Sequence, residues 1–515
     1  MAKEGKTERR TLKGFLDSKI VQKDVGEETY LTWRETISYA LGRGAQGMFT
    51  SMTGSKYLNY FLTNILLVRF KDFPGGPMGI APKIRLYCGI FDAINDPIMG
   101  VLVDKTRTKE GQMRPYIRIA PWFVAAVMLL FFLGMPGSVP NWACIAWTTF
   151  LFVGLDVTYT AFDIPMGALA FSITPNGFER TKLYGVSSIV RSVSGALPGL
   201  FVACAAWLPY FKTHTSKAYL TGACVSALGI LLFTRLTYRN TKERCVHHED
   251  TPAVADCFRL LFKNRPLFML FISNLLFLLV KVTNQINFYF VADLMFDTKY
   301  NVFIDVITFP GFLIAGIGVP KLVEKLGQRF DSRTFYRVCC VAAIVLHLLF
   351  FATCYNGYIH KAPGSPVSLG IGILTVLFTG LTAIPLECKN LMQKEMEAET
   401  VDYIEWKTGT RVEGIMLSIM SFTGKIENSV SSSIGMAILA YTGYIAHEEG
   451  SVIQNSGTNM ALFLMTTILP AVGYLLMLVP MAFYNISGKD HHKMVEEIKA
   501  RNAAKAQTAS EETAQ

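Results

Sequence analysis

LTGACVSALGILLFTRLTYRNTKERCVHHEDTPAVADCFRLLFKNRPLFMLFISNLLFLLV, residues 220–280, passes from one apolar run through a charged gap into another. The gap, Arg239 to Arg265, holds Arg239, Lys242, Arg244, Arg259, Lys263 and Arg265. Working outward, apolar runs precede it near 37–69, 79–103, 117–136, 142–172, 183–208 and 218–238. Others follow near 266–294, 301–323, 337–355, 366–390, 413–443 and 459–484. Each can form a helix of the roughly 20 residues that cross a hydrocarbon core. Six runs on each side of a polar linker predict an all-α membrane protein with twelve transmembrane helices in two six-helix bundles. The expected boundaries are an N-terminal segment 1–36, a bundle 37–238, a linker 239–265, a second bundle 266–484 and a tail 485–515.

Composition agrees. Hydrophobic residues make up 51% and charged residues 17% of the chain, where soluble domains carry about a quarter charged. Mean hydropathy is +0.33. The net charge of +10 is gathered in short segments between apolar runs, which argues against a nucleic-acid partner and for cytoplasmic loops. Lys105, Arg107, Lys109 and Arg114 follow the second span, Arg180 and Lys182 the fourth, and Lys325, Arg329 and Arg333 the eighth. The opposite loops are poorer, apart from Lys71, Lys212, Lys217, Lys299 and Lys361. Both termini are therefore expected in the cytoplasm. Lys83 and Arg85, early in the second span, fit only snorkelling or a cavity-facing place. The ten cysteines include no C-x-x-C pair and read as small buried hydrophobes. The first 35 residues are polar, so no signal peptide is expected. The tail after Asn485 reads as a solvated extension.

Ionisable groups inside spans are costly and are usually functional. The second span holds Asp92, Asn95 and Asp96 in FDAINDP. A spacing of four puts both carboxylates on one helix face. Either one of them is protonated or a cation lies between them. Hard oxygen donors suit Na⁺; the alternative is that Asp96 caps or pairs at the span's end. The fourth span carries Asp156, Tyr159, Thr160 and Asp163 at helical spacing. Carboxylates accept sugar hydroxyls, and the alternative is neutralisation by a neighbouring Lys or Arg, more so for Asp156. The fifth span has Arg191, the seventh Lys281 with Asn284 and Gln285, and the eleventh Ser421, Lys425 and Asn428 on one face. Glu427 reads equally as a packing residue, a partner of Lys281 or a ligand. His347 reads as a satisfied packing residue. There is no nucleotide-binding glycine loop, metal-spaced His/Cys set or nucleophile elbow, so an enzyme and a cofactor are not expected.

Several stretches resemble one family. FDAINDPIMGVLVDKTRTKEGQMRP (91–115), YTAFDIP (159–165), ERTK (179–182) and ETVDYIEWKTGTRVEG (399–414), with Lys425, resemble the glycoside-pentoside-hexuronide:cation symporters. The resemblance implies a major facilitator fold and alternating access in the inner membrane by a functional monomer. It implies a small sugar as substrate and Na⁺, Li⁺ or H⁺ as coupling ion. It assigns Asp92, Asn95, Asp96 and Thr160 to the cation, with Na⁺ between Asp92 and Asp96. Tyr159 and Asp163 fall near the sugar, and Lys425 links the two sites. Asp104, Arg107, Arg114, Arg180, Asp402, Glu405 and Arg411 match an inner-face latch.

The chain departs from the family in the sugar half. Gly47 stands where a first-helix Asp binds sugar, Gly167 stands where a Trp follows the fourth-helix Asp, and Arg191 comes about one turn late. Two glycines there predict an enlarged, less charged pocket suited to a bulkier or anionic substrate, whose carboxylate would pair with Arg191 or Lys425. A lysophospholipid-like cargo, or a non-transporting sensor on the same fold, are the rival readings. Two retained cation acids weigh against the sensor.

Overall fold

The computed structural model describes residues 17–19, 30–67, 76–135, 139–174, 177–205, 208–212, 214–244, 259, 261–295, 300–319, 322, 325, 331–361, 364–408, 413–446, 453–488, 490–491, 493–498 and 500–501. The chain forms two compact units, the first within Met1–Asp250 and the second mainly in Thr251–Ile445 and Gly450–Gln515. The first contains α1 (Trp33–Thr53), α2 (Ser55–Tyr60) with a π-helical turn Phe61–Leu66, α3 (Gly76–Lys105), α4 (Arg114–Leu133), α5 (Asn141–Ile173), α6 (Gly177–Ala205), α7 (Pro209–Lys212) and α8 (Thr215–Asn240). The second contains α9 (Arg265–Leu276), α10 (Leu278–Tyr289) with a π turn Phe290–Met295, α11 (Tyr300–Leu313) with a π turn Ile314–Gly318, α12 (Ser332–Ile359), α13 (Leu369–Thr408), α14 (Glu413–Tyr441) and α15 (Ser456–Phe483).

Helical segments stand at each of the expected places. Among the described residues nine are long and apolar enough to cross a membrane. The segments that fall short of that mark are 33–66, α3 and α14, and α3 and α14 bear the charges singled out above: Asp92 and Asp96, and Lys425 with Glu427.

Local chemistry sets several helix starts. Thr32 caps α1 in a capping box: Glu35 N donates to Thr32 Oγ1 at 3.3 Å and Thr32 N donates to Glu35 Oε2 at 3.3 Å. Pro115 and Pro266 open α4 and α9, where a missing N–H costs nothing. The start of α4 is also held from a distance. Gly111, at φ 115°, lets the loop turn tightly enough for Glu243 to accept from the N–H groups of Gln112, Met113 and Arg114 at 2.8, 2.9 and 2.9 Å. A carboxylate on a helix N-terminus is a favourable charge placement. Arg244 follows it, donating to Glu35 Oε1 at 2.6 Å and to the Ile173 carbonyl at 3.1 Å. The first residues of the linker are thus fastened to the first unit.

In the first unit α1 packs on α6 and α8, α4 on α5 and α8, and α3 on α5. In the second, α12 packs on α13 and α15, α11 on α13, and α10 on α14 and α15. α3 shows how such a helix is divided. Tyr87, Ile90, Ile94, Ile98 and Leu102 form an exposed apolar stripe. Cys88, Met99 and Val103 are buried on the other side, with the partly covered Asp92 and Asn95 between them. The apolar stripe suits lipid, and it leaves the polar face for the interior.

Candidate functional site

In the first unit the site is built on α5. Thr160, only 2% exposed, donates from Oγ1 to Asp92 Oδ1 of α3 at 3.3 Å. Asn95 lies one turn further along α3, its Nδ2 buried without a hydrogen-bond partner among the described residues. A half-turn of that amide presents its carbonyl oxygen in the same place. Of the four residues expected at the cation, the structure thus joins Asp92 and Thr160 across two packed helices, with Asn95 one turn along α3. Asp96 lies well inside α3, which continues to Lys105, so it does not cap the helix end.

One turn along α5 from Thr160, Asp163 is held firmly. Its Oδ1 accepts from Gln46 Nε2 at 2.7 Å and from Tyr159 OH at 2.9 Å. Gln46 Nε2 also reaches the Asp163 carbonyl at 3.3 Å. The Tyr159 ring stacks on Phe49 of α1, centroids 4.1 Å apart and planes 6° from parallel. Tyr159 also lies in the fields of Arg191 and Arg43. Gln46 Oε1 is buried without a partner among the described residues. The arrangement is a carboxylate, an orphan amide oxygen and an aromatic pair, which can meet the hydroxyls of a polar ligand.

The pocket expected at Gly47 is not there. A Cβ on Gly47 would meet the Arg191 carbonyl oxygen at 2.3 Å, and one on Gly195 would meet the Gly47 carbonyl at 3.0 Å. Gly47 is the contact point where α1 crosses α6, as small residues commonly are between membrane helices. Gly167 does face open space, with nothing within 4 Å of its built Cβ. Arg85 also has a place. Its guanidinium lies over the Phe152 ring at 5.4 Å.

In the second unit Lys425 stands on α14. Glu427, on the same helix, pairs with Lys281 of α10 at 2.7 Å, which selects the Lys281 alternative. Asn428 is exposed, and the side chain of Ser421 lies outside the described residues. His347 is satisfied by the Ala343 carbonyl at 2.8 Å. Sequence reading passed over Lys389 on α13, which is 0% exposed, bonds Gln393 Oε1 at 3.0 Å and sits 3.6 Å from the Phe277 ring centroid. It stands at the end of an apolar run, where a lysine reads as interfacial.

The latch residues are divided between the units. In the first, Arg107 is exposed and Arg114 donates to the Tyr238 carbonyl at 3.0 Å while lying over its ring at 4.7 Å. In the second, Asp402 Oδ2 bonds His491 Nε2 at 2.9 Å and the Glu405 carbonyl accepts from Arg501 at 2.8 Å. The side chains of Asp104 and Arg180, and the whole of Arg411, lie outside the described residues.

Helices long and apolar enough to cross a bilayer, with partly covered carboxylates set among them beside the buried Gln46 and Thr160, define a multi-pass membrane transporter. Residues 38–488 match the MFS/sugar transport protein family, and the chain belongs to it. The resemblance to glycoside-pentoside-hexuronide symporters holds at full length. The chain is 26% identical to the isoprimeverose transporter of Lactiplantibacillus pentosus, over 92% of each chain. It is 26% identical to the glucuronide carrier protein homolog of Escherichia coli (strain K12), over 94% of this chain and 99% of that one. Among solved structures, the xylose transporter XylE from E. coli, inward open, aligns with a TM-score of 0.58 over 90% of this chain and 98% of that one, at 11% identity. This likeness concerns the fold alone. The chain is a carrier and not an enzyme.

Proposed function

We propose that this carrier is a cation-coupled symporter of a glycoside, a hexuronide or another small sugar, working by alternating access between the two bundles. One observation carries the reading: Thr160, bonded to Asp92, and Asp163, bonded to Gln46 and Tyr159, lie one turn apart on the same helix. A cation that neutralises Asp92 and Asp96 acts on α5 through Thr160 and so orders Asp163 for substrate hydroxyls. The names of the isoprimeverose and glucuronide relatives support a saccharide. The protein works as a monomer in the inner membrane with both termini cytoplasmic. Asp402, Glu405 and Arg411 latch against Asp104, Arg107, Arg114 and Arg180 when the carrier faces outward, and Lys425 joins the cation and sugar sites.

The test is uptake into proteoliposomes of labelled glycosides, hexuronides and lysophospholipids, with and without an inward Na⁺ or H⁺ gradient. Gradient-driven accumulation of a saccharide is the expected result. Lipid transport alone, or no effect of either gradient, would overturn it.

A further inference from the structure

In the first unit α4 and α8 pack together, and both expose apolar stripes beside their seam. Ile119, Trp122 and Phe123 form the stripe of α4, and Leu228, Leu232 and Leu236 that of α8. Arginines rise from these same stripes. Arg118 is exposed one turn before Trp122, and Arg235 and Arg239 are exposed on either side of Leu236. Arg235 precedes Asn240, the last residue of α8, by about 8 Å along the axis. That is near the depth at which a spanning helix passes from hydrocarbon to headgroups. Arg118, Arg235 and Arg239 have no part in the transport mechanism above.

Their surroundings leave an excess of positive charge. Arg118 bonds Glu110 and lies over the Tyr238 ring at 6.0 Å, with 52% of its side chain exposed. Tyr238 belongs to the turn of α8 that carries Arg235 and Arg239, so this contact brings the α4 guanidinium to that turn. Arg235 and Arg239 have no ion pair or hydrogen bond among the described residues. They stand four apart on one helix face, where like charges repel. The nearby carboxylates are committed elsewhere. Glu243 accepts from the N–H groups that open α4, Glu35 pairs with Arg244, and Glu110 with Arg118. The α8 pair is thus without a counter-charge among the described residues. Arginine offers a fork of donors that matches phosphate oxygens. A free phosphate would leave Trp122 and the leucines uncovered, and an uncharged lipid would leave the α8 pair uncompensated. An anionic phospholipid answers both, and basic sites between spanning helices are suited to such headgroups.

We propose that the α4–α8 seam binds one anionic phospholipid. Arg235 and Arg239 hold its phosphodiester, with Arg118 beside them, and its acyl chains lie along Trp122 and the leucine stripe of α8. With the termini cytoplasmic, as proposed above, the lipid belongs to the inner leaflet. It steadies the end of α8 from which the linker departs, next to the Glu243 and Arg244 contacts that fasten the linker to the first unit. Its binding depends on neither the saccharide nor the coupling ion.

Native mass spectrometry of the delipidated full-length protein tests it, by titration with phosphatidylglycerol, phosphatidylcholine or inorganic phosphate. Phosphatidylglycerol should bind at least about tenfold more tightly than phosphatidylcholine, as one or more charge-assisted contacts imply. Arg235→Gln with Arg239→Gln should erase that preference and leave phosphatidylcholine binding unchanged. Lys105→Gln with Lys182→Gln removes two exposed charges from α3 and α6 and should leave the preference intact. Arg118→Gln leaves α8 untouched and should weaken phosphatidylglycerol about threefold or more, a readout that stands even where the α8 double variant does not fold. Equal binding of the two lipids would overturn the proposal, as would a preference that survives the α8 substitutions or is indifferent to Arg118→Gln. An equal loss in the lysine pair would reduce the effect to net charge and overturn it too. Inorganic phosphate binding as tightly as phosphatidylglycerol would mark a free-anion site instead of a lipid site.

Discussion

Single residues on α1 set the shape and charge of the site. Gly47 allows α1 to touch α6, because its built Cβ lies 2.3 Å from a backbone oxygen that has no rotamer to change. Gly47→Ala should lower stability by about 1–3 kcal/mol, as overpacking does, and thermal unfolding in detergent will show it. Gly167→Ala, with open space around it, should melt within about 0.5 kcal/mol of the unaltered protein. Equal melting of the two would remove the contact-point account. Gln46 holds Asp163 by its shortest described bond, 2.7 Å. Gln46→Leu should raise KM for substrate about tenfold or more, the worth of one hydrogen bond to a charged group, with insertion unchanged. The carboxylates were legible because a charge in an apolar run stands out at helical spacing. Gly47 and Gln46 were not, because what they do is decided by the helix they face: α6 across from Gly47, α5 across from Gln46.

Between elements, ion pairs join what apolar packing leaves unspecified. Lys281 of α10 and Glu427 of α14 meet at 2.7 Å with side chains 21% and 7% exposed. Glu427→Gln strands a mostly buried ammonium and should cost about 3–5 kcal/mol, whereas adding Lys281→Met should restore most of that. A double-mutant cycle on melting temperature measures it, and additive losses would show that the two do not interact. At the end of α13, the tail is fastened by His491 on Asp402 and by Trp406 Nε1 donating to Glu497 at 2.6 Å. The Asp402 hydrogen bond, opposed by burial and aided by Glu399 and Glu395, raises the His491 pKa above 6.5. A raised folded-state value stabilises docking fully below that ordinary value, and the gain is lost as pH rises through the folded one. Protease cleavage of the tail should therefore quicken with rising pH, and His491→Gln should flatten the profile. A profile that is unchanged in His491→Gln would assign the pH effect elsewhere. Asp402 and Glu405 stood out only through the family resemblance, as latch residues, and a tail read as solvated gave no sign that it docks on them.

Across the molecule, coupling requires that one ligand's occupancy be felt at the other's site, and α5 is the shortest route for that. Thr160 and Asp163 share a rigid turn, so whatever fixes Asp92 biases the carboxylate that Gln46 and Tyr159 present. Such coupling is reciprocal and is commonly about 1–3 kcal/mol, a factor of roughly 5–150 in affinity. Saturating coupling cation should therefore tighten binding of a labelled saccharide by a factor in that range. Thr160→Ala should bring the ratio toward one while leaving cation-free affinity near its original value, because Thr160 touches Asp92 and not the ligand-facing groups. Asp92→Cys should go further and abolish gradient-driven accumulation with insertion intact. Equilibrium binding at graded Na⁺, Li⁺ and pH separates the ions, since only the coupling ion shifts the saccharide curve. If Thr160→Ala weakens binding equally with and without cation, the residue belongs to the saccharide site. The link between the sites would then have to run through another part of the first bundle, with α1 the next element to test because Gln46 and Phe49 both bear on the α5 site.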